Sequence, residues 1–238
     1  MSIEELLSEI DKARTQSRLW AAMVRFSREL GFEATGYLLF DKGRTGGVIA
    51  MLQHGYDPEV VRLYAEMGYG LHDPTLRVVF ATGRPWRFSE ALARDKLSSG
   101  EQRHRALVNE YKGAKDGIGF PLFGPNGRDA YAVLGRPVRE EMLDDLDRTS
   151  LHMAAQAAHL KAIKLSPVPG PGQAGLSERE IEILRWVAQG KSNSVIADIL
   201  AISSGTVDTY LRRIFEKLDV TDRTTAAVKG VSMGLIRA

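Results

Sequence analysis

Apolar positions in the first thirty residues recur at helical spacing: Leu6, Leu7 and Ile10, then Leu19, Trp20, Met23, Val24, Phe26 and Leu30, with Gly31 as a stop. The period then changes. ATGYLLFD (34–41) and GVIAMLQH (47–54) are apolar runs either side of a Gly-rich turn at 42–47, which predicts a β-hairpin. A helix is predicted around 59–67 and another over 98–112, capped by Ser98 or Ser99. IGFPLFGPNGRDAYAVLG (118–135) repeats the hairpin pattern around Pro125-Asn126-Gly127. A long amphipathic helix is predicted from 140 to 165. This order lacks the strand–helix alternation of a parallel sheet. It predicts an α+β domain whose antiparallel sheet carries helices on both faces.

SPVPGPGQAG (166–175) has three prolines and three glycines in ten positions, so it reads as a linker between 1–165 and 176–238. The C-terminal segment predicts an all-α domain of four short helices. Ser177 and Glu180 form a capping box, Gly190 ends the first helix, Ser192 or Asn193 opens the second, Ser203 or Ser204 the third, and Thr221 or Asp222 the fourth. The second and third are spaced as a helix-turn-helix. On the third, Val207, Leu211, Ile214 and Leu218 share an apolar face, while Asp208, Thr209, Arg212 and Glu216 lie on the other side. A recognition helix needs that division between a packed back and a polar front free to meet base edges. Lys191, Ser192, Thr206, Tyr210, Arg213 and Lys217 are candidate phosphate contacts.

Composition excludes more than it assigns. The 238 residues are 44% hydrophobic and 26% charged with net charge +2, ordinary for a soluble protein. Residues 176–238 carry nine Lys/Arg against eight Asp/Glu, so charge alone does not mark a nucleic-acid binder. The absence of cysteine removes disulfides, thiolate metal sites and cysteine nucleophiles. No apolar run approaches the roughly 18 residues of a membrane span, and MSIEELLSEIDKARTQ lacks the apolar centre of a signal peptide. The expectation is a soluble cytoplasmic protein without a membrane partner. The five histidines show no metal-ligand spacing and there is no G-x-S-x-G, so no catalytic residue, metal or cofactor is expected.

Leu176-Ser177-Glu178-Arg179-Glu180, Gly190-Lys191-Ser192, Ile196-Ala197, Ile202-Ser203, Thr206-Val207, Lys217-Leu218-Val220, Arg223 and Gly234-Leu235-Ile236 resemble the LuxR-type DNA-binding domain across 176–236. The resemblance implies a third helix lying in the major groove of double-stranded DNA, in a homodimer on a near-palindromic site. It favours Asp208, Thr209 and Arg212 as base-reading residues; Tyr210 stands where the family often has histidine. Such domains are joined to several input domains. A phosphoacceptor receiver would need five strand–helix alternations, and this chain does not have them.

Tyr56, Tyr64, Tyr69, Asp73-Pro74, Pro85 and 117–127 resemble the autoinducer-binding domain of quorum-sensing LuxR-type regulators over roughly 15–165. The resemblance implies an α-β-α sandwich that holds an N-acyl-homoserine lactone between sheet and helices. It implies that Asp73 accepts the signal's amide N–H, that Tyr64 donates to the acyl carbonyl, that Tyr56 lines the lactone end, and that Gly117 is structural. Three positions depart. Val60 stands where the family usually has a tryptophan donor for the lactone carbonyl, Phe88 replaces a second tryptophan, and Val133 replaces a serine or threonine. Trp86 is a candidate to compensate. The expectation is therefore a ligand-responsive dimeric transcription factor. The alternative is a receptor for a non-lactone or aryl signal, or one acting without ligand. The 140–165 helix, with Met142, Leu146, Met153, Ala157 and Leu160, is a candidate dimer surface, with packing on its own sheet as the equal alternative.

Overall fold

The computed structural model describes residues 1–40, 48–66, 72–94, 96–110, 116–166 and 175–236. The turn at 42–47, Tyr69 and most of the 166–175 linker lie outside them. The chain divides into two compact units that change over after Ser166, the Pro125–Gly127 turn aside.

The N-terminal unit opens with α1 (Ile3–Lys12) and α2 (Gln16–Glu29). Both starts follow from local chemistry. Ser2 and Glu5 form a capping box on α1, and the Thr15 hydroxyl accepts from the Arg18 N–H on α2. Strands β1 (Phe32–Phe40) and β2 (Val48–His54) pair antiparallel as the apolar runs predict. Helices α3 (Pro58–Glu66) and α4 (Pro74–Thr82) follow, then the two-residue strand β3 (Trp86–Arg87), α5 (Phe88–Arg94) and α6 (Ser99–Glu110). Ser98 caps α6, exchanging hydrogen bonds with Glu101. The second hairpin is β4 (Gly117–Leu122) and β5 (Ala130–Pro137).

The sheet order is β2-β1-β5-β4-β3, all antiparallel, so β1 and β5 join the two hairpins at the centre. Successive side chains alternate between its faces. Leu39, Ile118, Phe120, Leu122 and Ala130 face one core with Leu6, Ile10, Leu19 and Phe26 of α1 and α2. Helix α7 (Arg148–Leu165) adds Leu151, Ala154, Ala155 and Ala158 to it. Leu38, Phe40, Tyr131 and Val133 face a second core with Leu76 and Val79 of α4. This is the expected α-β-α sandwich.

The long helix predicted over 140–165 is shorter than its pattern. A single 3-10 turn covers Glu140–Leu143, and α7 begins at Arg148 because the Asp147 carboxylate accepts from the Thr149 and Ser150 N–H groups, both at 3.1 Å. Met142 and Leu146 pack on the first core, whereas Met153 and Leu160 are exposed on α7.

The C-terminal unit is four helices, α8 (Glu178–Ala188), α9 (Asn193–Leu200), α10 (Ser204–Leu218) and α11 (Arg223–Ser232). Ser177, Ser192, Ser203 and Asp222 cap them in turn. Val207, Leu211, Ile214 and Leu218 are buried in one core with Ile183, Leu184, Ile196 and Ala226. The short α9–α10 turn holds Ala201 in the left-handed region, at φ 52°.

Candidate functional site

The sheet face that carries Tyr131 and Val133 does not close fully on its helices. A cavity of about 190 Å³ remains between them, roofed by α3, α5 and α6 and closed at one end by the start of α4. That exceeds the roughly 150 Å³ of an apolar cavity able to hold benzene. Leu38, Met51, Val60, Val61, Phe88, Leu92, Val108 and Val133 give it an apolar wall. Gly36 supplies part of the room, since a Cβ there would stand 2.7 Å from Val133 Cγ2.

The polar groups cluster on one side. Asp73 is only 7% exposed. Its Oδ1 accepts the Thr75 and Leu76 N–H groups at 2.8 and 3.3 Å, so it caps α4, with Pro74 at the first helical position. Its Oδ2 accepts the Tyr64 hydroxyl at 3.2 Å. The same hydroxyl is hydrogen-bonded to His104 Nε2. Burial lowers the His104 pKa below its ordinary value, which favours a neutral ring, although the Asp73 carboxylate pulls the other way. Burial, then the Asp73 carboxylate, push the Tyr56, Tyr64 and Tyr131 hydroxyls up, so all three stay protonated. A buried carboxylate flanked by neutral donors, opening on an apolar chamber, suits an uncharged ligand that offers an N–H.

In the C-terminal unit, α10 presents Asp208, Thr209, Arg212 and Arg213 to solvent. Asn193 Nδ2 donates to Asp208 Oδ1 at 2.5 Å, fixing that carboxylate between α9 and α10. Thr209 Oγ1 donates back to the Gly205 carbonyl at 3.0 Å, and the Thr206 and Ser203 hydroxyls are 2.8 Å apart. Arg213 lies over the Tyr210 ring, 5.9 Å from its centroid.

Two family models match these two parts of the chain. The autoinducer-binding domain matches residues 15–162, and the bacterial regulatory proteins of the luxR family match 174–229. The chain belongs to the LuxR family of quorum-sensing transcription regulators. That family is one of regulators, not enzymes. A putative HTH-type regulator of Sinorhizobium fredii, y4qH, is 32% identical over 72% of this chain, which spans only 52% of that relative's length. The quorum sensing-dependent regulator RpaR of Rhodopseudomonas palustris is 30% identical over 78% of this chain and 75% of its own. Escherichia coli SdiA has the same fold, with a TM-score of 0.78 at 20% identity over 99% of this chain and 98% of that one. SdiA in complex with octanoyl-rac-glycerol matches at 0.75.

As a LuxR-family chamber, the cavity is lined by six of the seven residues expected from the sequence: Tyr56, Val60, Tyr64, Asp73, Phe88 and Val133. Trp86 is not among them. Its indole N–H donates to Thr82 Oγ1 at 2.8 Å, and Arg84 and Arg94 lie 4.7 and 5.3 Å from its ring centroid, so its donor is already used. Gly117 is structural as expected: a Cβ there would stand 2.3 Å from the Leu134 carbonyl oxygen. Sequence reasoning missed His104, Tyr131 and Arg105, all of which line the chamber. In the LuxR-type helix-turn-helix, Lys217 has a partner that the sequence did not show. Its ammonium donates to both oxygens of buried Glu180, at 3.0 and 2.7 Å, and so ties α10 to α8.

Proposed function

We propose that this regulator is a ligand-responsive homodimeric transcription factor of the cytoplasm. Residues 1–165 bind an N-acyl-homoserine lactone or close relative, 166–175 link, and 176–238 bind a palindromic site on double-stranded DNA. The observation that carries the reading is Asp73: a buried carboxylate facing an apolar chamber, with Oδ1 committed to the backbone and Oδ2 accepting the Tyr64 hydroxyl. An amide N–H supplies the donor such a group needs, and the apolar wall suits an acyl tail. In the DNA-binding unit, α10 enters the major groove. Asp208, Thr209 and Arg212 meet base edges, and Lys191, Ser192, Thr206, Tyr210 and Arg213 meet phosphate. Half-sites one helical turn apart, about 10 base pairs, suit a two-fold dimer.

A second reading has its own observation. Val60 and Phe88 line the chamber without an N–H, so the usual lactone donors are absent. That favours an aryl or non-lactone signal, or activity without ligand. The octanoyl-rac-glycerol complex of SdiA fits a chamber of this fold holding an acyl ligand that has no lactone ring.

The test is to express the full chain with and without a panel of acyl- and aryl-homoserine lactones. Mass spectrometry then identifies what co-purifies, and binding to palindromic DNA is measured. Retention of one lactone with ligand-dependent DNA binding is expected. DNA binding equally tight with no small molecule retained would leave only the ligand-free version; no DNA binding under any condition would end the proposal.

A further inference from the structure

One polar atom of the chamber lacks a well-formed hydrogen bond among the described residues. Tyr131 is 1% exposed, and its hydroxyl stands beside the Asp73 carboxylate without making a hydrogen bond of good geometry to it or to any other described residue. Phenylalanine would fill the same space without the penalty of an unpaired buried hydroxyl. The place is also made for it. A Cβ on Gly119 would stand 2.6 Å from Tyr131 Oη, so the glycine on β4 leaves the room that the hydroxyl occupies. With its proton retained, the group is a donor whose neighbouring acceptor, Asp73, already holds the Tyr64 hydroxyl and the first N–H groups of α4.

Tyr64 is not equivalent. Its single hydrogen goes to Asp73 Oδ2 or to His104 Nε2, and either way it is spent inside the protein. Asp73 faces the same polar corner and can only accept. A ligand group that satisfies both Asp73 and Tyr131 must offer an N–H and an acceptor oxygen close together. A secondary amide does so.

We propose that Tyr131 is the specificity-determining donor of this chamber: it holds the carbonyl oxygen of an amide whose N–H is accepted by Asp73. This rests on the small-molecule reading above and reassigns the carbonyl contact expected of Tyr64. An ester ligand lacks the N–H and is disfavoured, and a ligand without the carbonyl leaves Tyr131 unpaired.

The test uses the full chain with N-hexanoyl-homoserine lactone and its thioamide analogue, whose sulfur is a poorer acceptor. Wild-type protein should prefer the amide. Tyr131→Phe should bind the lactone about tenfold more weakly, lose most of that preference, and without ligand unfold at the same temperature or higher. A purely structural hydroxyl predicts the opposite: lower stability with affinity and preference intact, and that result overturns the proposal. Should Tyr131→Phe fail to fold, Gly119→Ala displaces the hydroxyl while keeping the tyrosine, and the same two ligands are compared. Wild-type protein that binds the lactone without preferring it to the thioamide overturns this inference alone. Wild-type protein that binds neither ligand overturns it together with the lactone reading.

Discussion

Asp73 serves the fold through Oδ1 and, on the proposed reading, the ligand through Oδ2, and substitutions can separate the two. Asparagine is as good an N-cap as aspartate, so Asp73→Asn should keep α4 capped through its side-chain oxygen and cost little stability. It replaces a charged acceptor by a neutral amide, and charge-assisted hydrogen bonds are about twice as strong, so lactone affinity should fall about tenfold. Asp73→Ala removes both functions and should lose about 1–2 kcal/mol as well. Thermal unfolding and ligand titration read the two effects; equal stability losses for both variants would contradict the assignment. The histidines add a pH dependence. Burial holds His104 and His159 below the ordinary value of 6.5. Between those depressed folded values and 6.5 the unfolded chain binds more protons. Their contribution is therefore complete above 6.5 and is lost as pH falls through that window. The unfolding midpoint of the N-terminal unit should drop as pH falls below 6.5, and His104→Gln should flatten part of the drop. A midpoint that rises on acidification would refute it.

Elements whose causes are local could be read in the chain. Capping serines and aspartates fix helix starts through donors two or three residues away, and both hairpins show as apolar runs around turn residues. What could not be read depends on distant partners. The pairing of β1 with β5 spans about a hundred residues, and β3 is two residues long and exists only because β4 lies beside it. The start of helix α4 is legible in Asp73-Pro74 as an N-cap followed by Pro at the first helical position, but its body, PTLRVVFAT, is apolar nearly all round, without the stripe that marks an amphipathic helix. The chamber shows the same division. Tyr131 was within reach, since it lies two residues before Val133 and period two puts both on one face. His104 gave no sign, because only the fold of α6 brings it to Tyr64. The partner of Lys217 was not legible because Glu180 lies 37 residues away. Burial pushes the Glu180 carboxyl up, but the Lys217 ammonium and the Ser177 donors outweigh it and leave the pKa below its ordinary value. On this basis two neighbouring cations of α10 should behave differently. Arg213→Ala should reduce the salt dependence of DNA affinity by about one unit of slope. Lys217→Ala should leave the slope unchanged and cost about 1–2 kcal/mol of stability, a buried pair discounted for its half-exposed lysine. Equal changes in slope would return Lys217 to the phosphate contacts.

Across the whole molecule, the two units are built to different standards of completeness. The helix-turn-helix unit closes on a single core in which Ile183, Leu184, Ile196, Val207, Ile214 and Ala226 are fully buried. The sandwich is complete on its α1–α2–α7 side but hollow on the other, where Met51, Tyr56, Tyr64 and Phe88 are only partly buried around the chamber. A ligand filling that space replaces missing contacts in one unit and touches none of the core of the other. Anything that binds only the folded form stabilises it by RT ln(1 + [L]/Kd), about 2.7 kcal/mol at a hundredfold excess over Kd. Hydrogen exchange of the full chain without DNA should then show amides of α4, β1 and β5 slowed by roughly a hundredfold when the signal is present at that excess. Amides of α8 and α10 should exchange at the same rate with and without it. Equal protection of α10 would mean that ligand binding is coupled to the DNA-binding unit within one chain. Protection confined to the sandwich leaves the proposed dimer to carry the signal to DNA, and the two outcomes separate at a protein concentration low enough to keep such a dimer apart.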